Sequence, residues 1–151
     1  MKEELWLRQE RAESLAIVYL TRRPELSVTR VSGARDAGAD LLVRFPNGGV
    51  FGVQVKALLS PRQIQSSGAP GEFRLNVKLS TVNQRPSYHL CQFVFVMQTD
   101  EGYFRWLTQT TGNGYLSANE SETFRKLDNQ ALSEIMAEAA QLDESKLKIP
   151  A

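Results

Sequence analysis

The sequence predicts a mixed α/β domain, in which helices pack on a sheet of parallel and antiparallel strands. Residues 3–22 have the apolar spacing of an amphipathic helix, and Pro24 follows as a stop signal. Residues 41–45 and 50–56 have the composition of two strands separated by turn residues. Residues 92–98 form a dense apolar run, which is typical of a buried central strand.

The N-terminal helix carries a stripe of apolar side chains and leads to a first strand predicted over residues 26–32. The apolar positions compatible with this helix are Leu5, Ala12, Leu15, Ala16, Val18, Tyr19 and Leu20. Glu13 lies three residues before Ala16 and seven before Leu20. Its carboxylate is therefore expected beside the stripe, within reach of the edge of a strand.

The strands at 41–45 and 50–56 are predicted to form an antiparallel hairpin. Residues 46–49 read Pro-Asn-Gly-Gly, and the pairs Asn-Gly and Gly-Gly supply the positive φ that tight hairpins need. Pairing across this turn brings the two strands side by side.

Three side chains of this hairpin carry the clearest chemistry. Because side chains alternate along a strand, Gln54 and Lys56 share one face while Val53 and Val55 point to the other. Asp40 opens the preceding strand. The hairpin therefore places an acid, an amide and an amine on one edge of the sheet, and carboxylate and amide oxygens suit a hard cation such as Mg²⁺.

The segment after the hairpin is predicted to be irregular before a second helix. Residues 60–71 are rich in Ser, Gly and Pro, which indicates a loop, either a flap over the site or a plain surface loop. Residues 72–77 are expected to extend the sheet or to form a short edge strand. Residues 79–85 then read as a short helix that ends near Pro86.

The C-terminal part is predicted to contain one more strand and a helical region. A turn at residues 100–102 leads into an alternating strand at 103–107, whose aromatic side chains we assign to packing rather than to base stacking. Residues 120–142 show helical spacing, with a break expected at Asp128 and Asn129. This extension, over about 118–145, is expected to cover the sheet or to form a dimer contact.

Composition excludes several classes of protein. One cysteine, Cys91, and one histidine, His89, cannot build a disulfide or a structural zinc site, so Cys91 is expected in the core and His89 in a structural hydrogen bond. No apolar run approaches the ~20 residues of a membrane span, and residues 1–4 are too polar for a signal peptide. We therefore expect a cytoplasmic protein with one domain over residues 1–151 and no membrane partner.

The charge of the chain is nearly balanced but unevenly distributed. The formal net charge of +1 lacks the basic excess of dedicated nucleic-acid binders. Arginine and lysine nevertheless concentrate in the first two-thirds, while Asp and Glu concentrate near the C-terminus. A basic face is compatible with this distribution, although each single arginine is more often an ordinary solvated charge.

The pattern of Asp40 followed by Gln54-Val55-Lys56 resembles the PD-(D/E)XK nuclease superfamily, the restriction-endonuclease-like fold, in the variant with glutamine as the second acid. Residues 36–40, Asp-Ala-Gly-Ala-Asp, resemble the Asp-x-Gly-x-Asp of its Mrr-like branch, which includes small bacterial proteins of unknown function. The family core runs helix, three strands, helix, strand. Residues 8–108 fit this order, and the chain adds a strand and the C-terminal helical extension.

The resemblance implies a Mg²⁺ or Mn²⁺ ion held by Asp40, the side-chain oxygen of Gln54 and the backbone carbonyl of Val55. Lys56 is then expected to position the attacking water or to stabilise phosphoryl charge. Glutamine in place of the second acid removes one negative charge from this metal site.

The family often adds a glutamate from the first helix, for which Glu13 is our choice and Glu10 the competing candidate. The second helix of such folds often contacts the substrate. The residues expected to contact nucleic acid are Arg35, Arg62, Lys78 and Gln84.

Two functions from different classes follow from this reading. The first is a metal-dependent endonuclease that hydrolyses phosphodiester bonds of DNA, in a bacterial defence or mobile-element context, with specificity supplied by loops, a homodimer or a protein partner. The second is a catalytically inactive module of the same fold that binds nucleic acid or a protein, in which Asp40 and Lys56 form a structural ion pair.

Overall fold

The computed structural model describes residues 5–31, 39–66, 68–75, 88–107 and 123–147. In chain order, the elements are α1 (Leu5–Leu20), β1 (Ser27–Arg30), β2 (Leu41–Arg44), β3 (Val50–Leu58), β4 (Ile64–Ser66), β5 (Glu72–Leu75), β6 (His89–Val96), β7 (Gly102–Trp106), β8 (Thr123–Lys126) and α2 (Ala131–Leu147). A short 3₁₀ turn at Pro61–Gln63 precedes β4.

The strands form one mixed sheet of eight in the order β1-β2-β3-β6-β7-β8-β5-β4. β3 and β6 are parallel, and every other neighbouring pair is antiparallel. The predicted mixed α/β fold is therefore confirmed. The predicted order of a helix, three strands and a later central strand is also found, while the second helix, at 79–85, falls outside the described residues.

Both helices pack on one face of the sheet. Alternate residues of β3, such as Val53 and Val55, face α1 and contribute to a core that also includes Cys91, as predicted. The buried helix residues of this core are Ala12, Ala16, Tyr19 and Leu20 of α1 with Ala131, Leu132, Ile135 and Ala139 of α2. Helix α2 thus covers the sheet, which is one of the two roles expected for it.

The opposite face of the sheet curls around a second, smaller core. In a flat sheet β3 and β4 would be five strand spacings apart, about 24 Å. The chain from Leu58 to Ile64 spans at most about 21 Å even when fully extended, so the sheet must curve to bring β4 back toward β3. The side chains enclosed by this curve are Leu58, Leu75, Val94, Val96, Tyr103 and Phe124, with Ile64 and Phe73 against them.

The predicted hairpin and central strand are confirmed. β2 and β3 pair with Leu41 opposite Val53, and the turn closes through a 2.8 Å bond from the Phe45 N–H to the Gly49 carbonyl. Gly48 has a φ of 93°, the left-handed conformation that the Asn-Gly pair predicted. β6 lies between β3 and β7 and is almost entirely buried.

Two segments differ from the prediction. Residues 60–71, expected to be a loop, contain β4, whose Ile64 pairs with Leu75 of β5, so β5 is an interior strand and β4 is the edge. Within 120–142, expected to be helical, residues 123–126 form β8 between β7 and β5. The helix begins only after the expected break, where Asp128 Oδ1 accepts from the N–H groups of Gln130 and Ala131.

Both differences have the same physical reason. Short strands are stabilised by partners that lie far away in the sequence, and local composition does not report such pairing.

Within the described part of the chain, no helix is long and apolar enough to cross a membrane.

Candidate functional site

The candidate site lies where β3 continues past the end of β2. The ladder between these strands ends at Leu41 and Val53, and the Asp40 N–H extends it by donating to the Val53 carbonyl at 2.8 Å. Past β2, no further strand pairs with this edge of β3 among the described residues, and we call it the open edge. The next donor along it, the Val55 N–H, donates to Asp40 Oδ2 at 2.7 Å. The carboxylate of Asp40 thus takes the place of a backbone acceptor, which fixes it against β3.

The carbonyl of Val55 points to the same open edge. The N–H and C=O of one strand residue project to the same side, whereas the neighbouring residues direct theirs toward β6. Nε2 of Gln9, on α1, donates to this carbonyl at 3.0 Å. Both polar groups of the Val55 backbone are therefore bound by side chains, one from the hairpin and one from the helix.

Helix α1 brings Glu13 close to this edge and leaves Glu10 further out. Glu13 Oε2 accepts from the same Gln9 Nε2 at 2.9 Å, while its Oε1 accepts from Arg30 Nη1 at 3.1 Å. Only 16% of the Glu13 side chain is exposed, against 54% for Glu10, which pairs with Arg30 at 2.9 Å. One side chain, Gln9, therefore separates Glu13 from Val55.

Gln54 and Lys56 project from β3 to the face opposite α1, as the alternation predicts. Lys56 is partly exposed. Gln54 is only 3% exposed, and its Oε1 accepts a 2.8 Å hydrogen bond from Nε2 of Gln92, the residue opposite it on β6. The predicted site residue Gln54 is thus part of a buried polar network.

The orientation of both amides in this network is determined by Arg105 on β7. Arg105 Nε donates to Gln92 Oε1 at 2.8 Å, and its guanidinium stacks on the Phe124 ring with Cζ 4.5 Å from the centroid. Because arginine can only donate, Gln92 must turn its oxygen to Arg105 and its NH₂ to Gln54. Gln54 must then present its oxygen to Gln92.

We call the group formed by Gln9, Glu13, Asp40, Gln54, Val55 and Lys56 the edge site. Carboxylate, amide and carbonyl oxygens are the ligands that Mg²⁺ prefers. Among the described residues, at the edge site and elsewhere, no three His, Cys, Asp or Glu side chains cluster as a metal site would. A cation at the edge site would therefore depend on backbone and amide oxygens as well as on acids.

The residues expected to contact nucleic acid are only partly described. Arg62 is exposed in the 3₁₀ turn before β4, where its N–H donates to Ser60 Oγ at 3.2 Å. Arg35, Lys78 and Gln84 lie outside the described residues.

Sequence reasoning missed Gln9, Gln92 and Arg105. Gln9 precedes Glu13 by four residues, the spacing at which helical side chains meet, and this signal was available. Gln92 begins an otherwise apolar run, which marks a buried polar group that needs a partner. Nothing in the spacing of Arg105 indicated that the partner would come from β7.

Comparison with solved structures finds similarity to a bacterial homing endonuclease, I-Ssp6803I. The TM-score is 0.49 and the sequence identity 16%, and the match covers 95% of this chain and 99% of that one. No protein-family model and no curated protein matches the chain. The functional proposal below therefore depends on the edge site and on the contacts among its residues.

Proposed function

We propose that this protein is a divalent-cation-dependent endonuclease that hydrolyses phosphodiester bonds of DNA at the edge site. One observation carries the proposal: Asp40 is held against Val55 by the 2.7 Å bond to its N–H, at the open edge of the strand that carries Gln54 and Lys56. This arrangement puts a carboxylate beside the backbone of Val55, the middle residue of the Gln-x-Lys sequence. The resemblance of that sequence to PD-(D/E)XK nucleases supplies the reaction type and the choice of DNA.

The donor set fits a hard cation such as Mg²⁺ or Mn²⁺. Glu13 Oε2 and the Val55 carbonyl lie 2.9 and 3.0 Å from one electropositive NH₂ group, so both oxygens face a common point. Asp40 and these two oxygens would hold the cation, and Gln54 would contribute through its side-chain oxygen. When bound, the cation supplies charge that stabilises the leaving oxygen and makes a water more acidic.

The residues of the chain have separate tasks in this proposal. Asp40 presents its carboxylate at the edge, in an orientation set by the hydrogen bond from the Val55 N–H. Lys56, partly exposed on the face of β3 opposite α1, orients a water or binds a phosphoryl oxygen. The buried hydrogen bond from Gln92 restrains the Gln54 side chain, so little conformational entropy is lost when substrate binds.

A second candidate function is supported by the same contacts. The Gln54 oxygen and the Val55 carbonyl already accept hydrogen bonds within the chain, from Gln92 and Gln9. In a catalytically inactive module these bonds would be permanent, and the surface would bind DNA or a protein partner without a cation.

The test is cleavage of plasmid, linear and single-stranded DNA and of RNA by the purified chain, with Mn²⁺ or Mg²⁺ and with EDTA. Asp40→Asn and Lys56→Ala are run beside the wild type, with Gln65→Ala, an exposed position on β4, as the matched control. We expect DNA cleavage by the wild type and the control that disappears in EDTA and in the two site variants. Folded wild type that neither cleaves DNA nor binds Mn²⁺ by calorimetry would favour the inactive module.

A further inference from the structure

Gln9 makes two hydrogen bonds that link the helix to the strand at the edge site. Its Nε2 donates to the Val55 carbonyl at 3.0 Å and to Glu13 Oε2 at 2.9 Å. An amide NH₂ has two hydrogens, and both lengths are ordinary for N–H···O bonds. The donor capacity of this group is therefore used on the two oxygens that the proposed function assigns to a cation.

We propose that Gln9 is a gating residue that occupies the cation position between Val55 and Glu13 and must move before a divalent cation binds. This inference rests on the proposed function. The NH₂ group carries partial positive charge and satisfies both oxygens, as a cation would. The side-chain amide as a whole is nevertheless neutral. A cation that both oxygens bind at this shared point must displace the NH₂ group, because the two cannot occupy the same position.

The second carboxylate oxygen of Glu13 gives the direction of the expected effect. Glu13 Oε1 is bound by Arg30 Nη1 at 3.1 Å, independently of Gln9. The Val55 carbonyl is fixed by the strand. Loss of Gln9 therefore leaves both oxygens in place and removes only their competitor, so cation affinity is expected to rise rather than fall.

Gln9 lies on the partly buried face of α1, beside the open edge rather than inside the core. Rotation about its side-chain bonds therefore requires no movement of the helix. Gating by Gln9 thus needs only a side-chain change.

The experiment is a calorimetric titration of the full chain with Mn²⁺, comparing wild type, Gln9→Ala and Gln9→Met, with Gln65→Ala as the matched control. Gln9→Met keeps the length and packing of the side chain, and so guards against loss of helix packing. We expect both Gln9 variants to bind Mn²⁺ about tenfold more tightly than wild type, because two hydrogen bonds no longer need to be broken. Gln65→Ala should bind as wild type does.

Unchanged or weaker Mn²⁺ binding in both Gln9 variants would overturn the gating role. If the wild type still cleaves DNA in a manner that depends on Asp40, the proposed function stands and only the gating role of Gln9 is wrong. If neither the wild type nor the Gln9 variants bind Mn²⁺, both proposals fall. Binding that appears only after substitution of Gln9 would be the strongest support.

Discussion

Nε2 of Gln92 donates a 2.8 Å hydrogen bond to Oε1 of Gln54, between side chains that are 0% and 3% exposed. The direction of this bond is imposed by Arg105, which donates to the other end of the Gln92 amide. Position 54 must therefore present an acceptor to β6, and glutamate meets that requirement as well as glutamine does.

We predict that Gln54→Glu keeps the bond from Gln92 and raises affinity for Mn²⁺ about tenfold, because it adds a negative charge beside Asp40. Without metal the variant should be less stable than wild type, since a buried carboxylate is costly. Thermal melting with and without Mn²⁺ measures both effects. Gln65→Glu, an exposed substitution of the same chemistry, is the control. A Gln54→Glu protein whose melting temperature responds to Mn²⁺ no more than that of the control would contradict the prediction.

Two substitutions of Asp40 should separate its structural role from its charge. Asp40→Asn retains an oxygen that can accept from the Val55 N–H, whereas Asp40→Ala leaves that group without its acceptor. We predict that Asp40→Ala lowers the free energy of unfolding by about 1–3 kcal/mol and that Asp40→Asn lowers it by less. Both should lose Mn²⁺ binding. Urea denaturation and calorimetry test the two statements, and equal stabilities would show that the bond to Val55 contributes little.

Glu138 should make stability depend on pH. Its carboxylate accepts from Arg125 at 2.7 and 2.9 Å and from Trp106 Nε1 at 2.9 Å, and the hydrogen bonds from Arg125 lower its pKa. A lowered pKa in the folded state stabilises the protein above the unfolded value, about 4.3, and this stability is lost as the pH falls through the folded pKa.

Glu138→Gln should therefore be less stable than wild type by up to about 1 kcal/mol at pH 7, the upper range for a pair that is about one-third exposed. The difference should shrink as the pH falls below about 4. Urea denaturation across this range measures it. Glu134→Gln, on the same helix but 3.5 Å from Arg125, is the control and should have a smaller effect. A Glu138→Gln difference that does not vary with pH would contradict the assignment.

Gly52 on β3 should not tolerate a larger residue. A Cβ at this position would lie 2.5 Å from Tyr88 Cε1 and 2.8 Å from Leu90 Cδ1, well inside van der Waals contact. We predict that Gly52→Ala costs about 1–3 kcal/mol of unfolding free energy by overpacking. In a Leu90→Ala background, where one of the clashing groups is absent, the same change should cost less. Equal costs in the two backgrounds, measured by urea denaturation, would mean that Leu90 does not limit the space.

The sequence by itself determined helix α1, the hairpin of β2 and β3 and the faces of β3. These follow from short-range physics: a period of two assigns Gln54 and Lys56 to one face, and the Asn-Gly pair supplies the positive φ observed at Gly48. It also placed Asp40 immediately before β2. The turn then sets the register of the hairpin, in which Leu41 lies opposite Val53.

Only the tertiary structure decided the features that depend on distant pairing. The apolar spacing of Phe124 and Leu127 suits a helix, yet residues 123–126 form β8 because β5 and β7 offer edges on both sides. In the same way, Arg105 orients Gln54 through Gln92 across three strands, and Gln9 reaches Val55 from the helix. Backbone hydrogen bonds and buried polar groups must find partners wherever the fold supplies them, and local sequence does not name those partners.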